Sequence, residues 1–177
     1  MAKFILYACP IGELAKQFED YFEQSQRICG KNAAHHYMPH CTLTGFFQDA
    51  EAAIPIYLQA LDRTLTKAQP YPRPAVTITQ MTFRPDWHGL ELRSDWLAQQ
   101  VVDFANSVHS PTRLEELRLK TWLHLSLAYK FQSEQADKLA HLARQLIHTE
   151  AAVEWEVRFY QRYPDHTWNC HQSWLLK

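Results

Sequence analysis

The chain has 177 residues, 46% of them hydrophobic and 13% aromatic, with a formal net charge of −1 and a pI near 6.8. That composition can fill one sizeable core or two small lobes. The near-neutral charge argues against long duplex nucleic acid or an anionic membrane as partner, since both usually meet basic faces; a small anion in a local pocket stays open. No run of about 18 apolar residues, no secretory leader and no glycosylation sequon occurs, so a cytoplasmic protein with no membrane partner is expected. The sequence sets no oligomeric state.

In chain order, "KFILYAC" (3–9) is apolar and β-prone and predicts a buried strand. Residues 13–28 place Leu14, Phe18, Tyr21, Phe22 and Ile28 on one helical stripe, with Gly30 as the stop. "HCTLTGF" (40–46) predicts a strand. Residues 54–65 predict a helix with Pro55 in its first turn. "QPYPRP" (69–74) is a candidate hinge. "AVTITQMTF" (75–83) is a strand whose apolar phase changes near Gln80, which suggests a bulge. "DWHG" (86–89) reads as a turn into a strand at 90–93. Ser94 can cap a helix over 95–108. "WLHLSLAY" (122–129) is a strand, and Ser133 is placed as the cap of a last helix. Residues 153–163 alternate cleanly, then turn at 164–166 into a final strand ending near 176.

This order repeats. Strand–helix–strand–helix occurs over 3–66 and again over about 88–147, and the motifs His40-Cys41-Thr42-Leu43 and His124-Leu125-Ser126-Leu127 lie 84 residues apart in the two units. The expected fold is therefore α+β and bilobal: lobes of about 1–70 and 86–150 interleaved with strands 75–84 and 152–176, their antiparallel sheets facing a central cleft.

Side chains alternate along a strand. His40 and Thr42 thus share one face while Cys41 and Leu43 enter the core; His124 and Ser126 repeat the pattern over Leu125 and Leu127. Two imidazoles and two hydroxyls around one small volume suit displacement at phosphorus. A neutral imidazole takes a proton from water, a protonated one gives a proton to the leaving oxygen, and the hydroxyls hold the non-bridging oxygens. That chemistry needs no metal or cofactor. On strand parity Phe46 joins the His40 face and Trp122 the His124 face, and either could stack on a base, although Gly45 could bulge the strand. Tyr129 has the opposite parity and is placed in the core.

H-x-[ST]-Φ twice, once per half, resembles the 2H phosphoesterase superfamily. "SQRICGKNAAHHYMPHCTL" and "HLSLAYKF" are most similar to the 2H phosphoesterase domain of the TULA/Sts proteins. The resemblance covers nearly the whole chain. It implies a metal-independent phosphodiesterase that opens 2′,3′-cyclic phosphates of nucleotides or RNA ends to a monoester, in the usual case a 2′-phosphate. By the same resemblance His40 and His124 are catalytic, Thr42 and Ser126 bind phosphate, Tyr7 lines the pocket, and the second histidine is the base. Rival readings are a hydrolase of 2′,5′- or 3′,5′-linked oligonucleotides and a silent nucleotide-binding module.

The other residues have plainer readings. His35, His36 and His40 lack an acidic partner for a metal site, and the four cysteines form no C-x-x-C pair, so buried free thiols are expected. The charged stretch 112–120 reads as a solvated segment.

Overall fold

The computed structural model describes residues 1–67 and 76–176; the candidate hinge at 69–74 lies outside them. Its first strand, β1 (Ala2–Gly12), is the spine of the fold. Phe4, Leu6 and Ala8 pack into the main core, while Ile5, Tyr7 and Cys9 pack into a smaller cluster with Tyr160. An unbroken apolar run from Phe4 to Cys9 thus buries both faces, the pattern of a central strand.

The remaining strands are β2 (Cys41–Thr42), β3 (Phe47–Asp49), β4 (Thr77–Arg84), β5 (Trp87–Arg93), β6 (His124–Tyr129), β7 (Val153–Arg162) and β8 (Trp168–Leu176). They form one antiparallel sheet in the order β4-β5-β6-β2-β1-β7-β8, with β3 pairing β1 beyond β2. The two units meet where Cys41 pairs with Leu125. About that pair the order is pseudo-symmetric: β4-β5-β6 on one side answers β7-β1-β2 on the other.

Four α-helices occur among the described residues: α1 (Glu13–Cys29), α2 (Ile54–Lys67), α3 (Asp95–Ser107) and α4 (Ala136–Leu146). Their apolar stripes enter the main core, which also takes Cys41, Leu125, Val157 and Phe159 from the sheet. The helices exchange partners between units, since α1 packs on α4 and α2 on α3. Each unit therefore covers part of the other. The opposite face of the sheet carries the smaller aromatic cluster and the cleft.

Local chemistry explains where these elements differ from expectation. The strand expected over 40–46 is split. Opposite the two residues Ile5 and Leu6, the chain spends four, because Tyr7 pairs with Thr42 but Phe4 pairs with Phe47. Leu6 N–H donates to the Thr44 hydroxyl at 3.1 Å, and both Leu43 N–H and Thr44 N–H reach the Leu6 carbonyl. The bulged segment also bonds 118–120, through Lys120 N–H to the Leu43 carbonyl and Gly45 N–H to the Arg118 carbonyl.

The expected bulge near Gln80 is present, between Ile78 and Gln80. The turn expected at 86–89 is shorter, spanning Pro85 and Asp86, so Trp87 and Gly89 are strand residues. Ser94 does cap α3, its hydroxyl accepting from Leu97 N–H at 3.2 Å. Ser133 is not a cap; it opens a short 3₁₀ turn held by Gln132 N–H donating to the Gln135 side chain. Ile28 is exposed, and the buried position of that turn is Ser25.

Candidate active site

The Cys41–Leu125 pair sets the geometry of the site. Both side chains point into the core, at 1% and 0% exposure. Continuing the antiparallel register by one residue each way places His40 opposite Ser126 and Thr42 opposite His124, all on the other face. The two histidines are then diagonal neighbours, a relation that sets backbones roughly 7–8 Å apart. The motif strands lie side by side, and both imidazoles face one cleft.

Both rings are held the same way. His40 Nδ1 lies 2.7 Å from the Met38 carbonyl, and His124 Nδ1 lies 3.1 Å from the Trp122 carbonyl. A carbonyl only accepts, so each Nδ1 carries the proton and each neutral ring keeps Nε2 as an acceptor. Both side chains line a cleft of about 780 Å³.

The environments differ. Burial pulls His40 down to about 4 against the Met38 bond, and the nearby His124 pulls the same way. Its ring packs on Tyr7 at 4.0 Å and Tyr37 at 5.5 Å. His124 is also lowered by burial, with its carbonyl bond opposing; Lys120 and Arg84 lower it further, while Glu91 raises it. Glu91 sits directly opposite His124 on β5 and pairs with Arg84 at 3.3 Å. Extending the β1–β2 register puts the neutral thiol of Cys9 at the corresponding place beside His40. Burial pushes that thiol, like that of Cys41, up to about 12, so neither is a nucleophile at neutral pH.

Of the other expected residues, Tyr7, Thr42, Phe46 and Trp122 line the cleft. Trp122 stacks on His124 at 4.0 Å and has the Arg84 guanidinium 4.7 Å from its ring. Phe46 stacks on Trp168 at 6.1 Å, and Lys3 Nζ lies 4.5 Å from its ring centre. Ser126 stands beside His124 but outside the cleft lining, its Oγ accepting the Trp87 indole N–H at 2.9 Å. His35 is a capping residue, taking Asn32 N–H on Nδ1 at 3.0 Å with its Nε2 3.1 Å from the Phe22 carbonyl.

Two placements correct the sequence. Tyr129 lines the cleft. The pairing of β6 with β5 skips Leu127, and this extra residue reverses the side on which 128 and 129 fall. Arg118, Lys120 and Thr121 belong to the cleft wall, because their segment pairs with the bulge at 43–45. The preceding loop is tied down by Asp49, a buried carboxylate accepting from Ala50 N–H, Tyr57 and Thr112. Burial would raise Asp49, but these bonds hold it below the usual carboxylate range. Sequence reasoning passed over Glu91 and Trp87; the same-face parity of 87, 89 and 91 against buried Leu90 and Leu92 was the available signal.

No protein-family profile matches the chain. It is 32% identical over 166 residues to the ubiquitin-associated and SH3 domain-containing protein B of Homo sapiens and of Mus musculus, covering 90% of this chain. It is 27% identical to the ecdysteroid-phosphate phosphatase of Bombyx mori over 92% of this chain. The chain spans about a quarter of the length of these curated relatives, 25% of each. The stretches that resembled TULA/Sts proteins thus belong to a similarity running nearly end to end. With the two motif strands joined about a pseudo-twofold, it makes the chain a homologue of one part of the ubiquitin-associated and SH3 domain-containing proteins, with an architecture compatible with the 2H phosphoesterase fold.

Proposed function

We propose that this chain is a metal-independent phosphodiesterase that hydrolyses 2′,3′-cyclic phosphates of nucleotides or RNA ends. The observation that carries this reading is the matched pair of imidazoles, each with Nδ1–H tied to the carbonyl two residues back and Nε2 left for proton transfer. The name of one relative, a phosphatase, is in keeping with phosphoester chemistry. Because the chain covers only a quarter of that protein, the proposal rests on the site itself.

In the reaction, water attacks phosphorus in line with one ring oxygen of the cyclic phosphate. One histidine takes the water proton, and the other gives its proton to the departing oxygen. Departure of the 3′ oxygen leaves a 2′-phosphomonoester, and solvent resets the two rings. Thr42 and Ser126 donate to the non-bridging oxygens. The charge distribution of the free protein favours His40 as base, since burial keeps it neutral. His124 is lowered too, by burial and by Lys120 and Arg84, but the Glu91 carboxylate opposite it works against this, so of the two rings it is the one that holds a proton beside an incoming anion. This reverses the roles implied by the family resemblance.

Among the described residues, the cleft lining includes Arg118 and Lys120 and no carboxylate. That favours anionic substrates and leaves room for an oligonucleotide. Incubating the protein in EDTA with cyclic mononucleotides and with 2′,5′- and 3′,5′-linked dinucleotides separates the readings. The expected result is a 2′-monophosphate signal in phosphorus NMR from the cyclic substrate alone. Cleavage confined to the dinucleotides would replace this reading with the linear phosphodiesterase.

A further inference from the structure

Trp87 has no part in the chemistry above, yet it touches that chemistry twice. Its buried indole donates to Ser126 Oγ at 2.9 Å, and its ring stands edge-on to His124 at 5.3 Å. It also meets Trp122, the ring stacked on His124, at 4.9 Å. To reach β6 the indole lies across Gly89, which pairs directly with Ser126. A Cβ at Gly89 would lie 2.4 Å from the Trp87 ring and 2.2 Å from the Leu125 carbonyl oxygen. The glycine is therefore the space through which the indole passes.

The other unit is built differently. Tyr7 pairs with Thr42 as Gly89 pairs with Ser126, and its ring packs on His40 directly. Among the described residues no side chain holds the Thr42 hydroxyl, but Thr42 is β-branched and stiff at χ1. Ser126 is unbranched, so its hydroxyl needs an external restraint. A serine hydroxyl has one proton and two lone pairs. Occupying one lone pair with an indole N–H, which can only donate, leaves the hydroxyl proton for an acceptor in the site.

We propose that Trp87 is a positioning residue for Ser126: its indole N–H holds Oγ so that the hydroxyl donates to a non-bridging phosphate oxygen, while its ring braces His124. The inference rests on the cleft being a phosphate site, as proposed above. Loss of the indole N–H is expected to act through Ser126 and to vanish when Ser126 is gone.

The test is a double-mutant cycle of Trp87→Phe and Ser126→Ala, read as kcat on a 2′,3′-cyclic mononucleotide and as Kd for inorganic phosphate. Trp87→Phe keeps a ring and removes the donor. It is expected to lower kcat and weaken phosphate binding roughly three- to tenfold, the worth of one hydrogen bond, with no further loss in the Ser126→Ala background. Equal losses in both backgrounds, or none in either, would overturn the proposal. The phosphate arm needs no turnover, so a protein inactive on cyclic phosphates still decides the question. A third readout spares the tryptophan: the Trp87 indole N–H resonance should shift on phosphate addition in the parent protein and not in Ser126→Ala. The same shift in both would contradict the coupling.

Discussion

Nδ1 of each motif histidine is committed to the carbonyl two residues earlier, and this small contact does much of the site's work. It selects the tautomer and leaves Nε2 as the nitrogen with a free lone pair, the one the proposed reaction uses. It was not legible in the sequence, because it depends on how the chain bends before each strand. What the sequence did show was parity: His40 with Thr42, His124 with Ser126, and Cys41 and Leu125 behind them in the core. The burial of His40 has a measurable consequence. Its folded value near 4 lies below the ordinary 6.5, so the folded state prefers the neutral ring. Its contribution is full above pH 6.5 and is lost as pH falls towards 4, where the unfolded chain takes up a proton that the folded ring refuses. Tyr7, Tyr37 and His124 face this ring, and Cys9 lies beside it. Chemical denaturation between pH 7 and 4 should show a shallower loss of stability in His40→Gln than in the parent protein. Parallel curves would mean that His40 titrates normally in the fold.

Strands carried most of the errors at the scale of elements, and bulges caused them. Helices α1, α2 and α3 were readable because their stripes repeat over several turns. A bulge inserts a residue without changing the composition, so parity counted across it fails. Leu127 moved Tyr129 from the expected core to the cleft. The four-for-two bulge near Gly45 released 43–45 to bind 118–120, which brought Arg118 and Lys120 into the wall. Gly89 was read as part of a turn, but its role is to admit a neighbouring indole. Gly89→Ala should therefore cost at least the roughly 1–3 kcal/mol of an overpacked site, because backbone as well as side chain stands in the way. Thermal unfolding at unchanged melting temperature would show that the indole has another place to go.

For the whole molecule, the duplicated order of elements was visible in sequence, but the exchange of helices between units was not. Stripe patterns say which face of a helix is buried and are silent on the partner. With α1 on α4, α2 on α3, and β2 joined to β6, each half lacks part of its own core. Unfolding is expected to be one transition, with far- and near-ultraviolet circular dichroism coinciding. Two separated transitions would mean that the halves are independent. The same join creates the site, since each unit supplies one of its two motif imidazoles, His40 and His124. The most direct test is therefore single-turnover hydrolysis of a 2′,3′-cyclic nucleotide in EDTA by the parent protein, His40→Ala and His124→Ala. The account expects turnover by the parent and a loss of about 10²–10⁴-fold from each substitution. Parent turnover that either substitution leaves unchanged, or that EDTA abolishes, would contradict it.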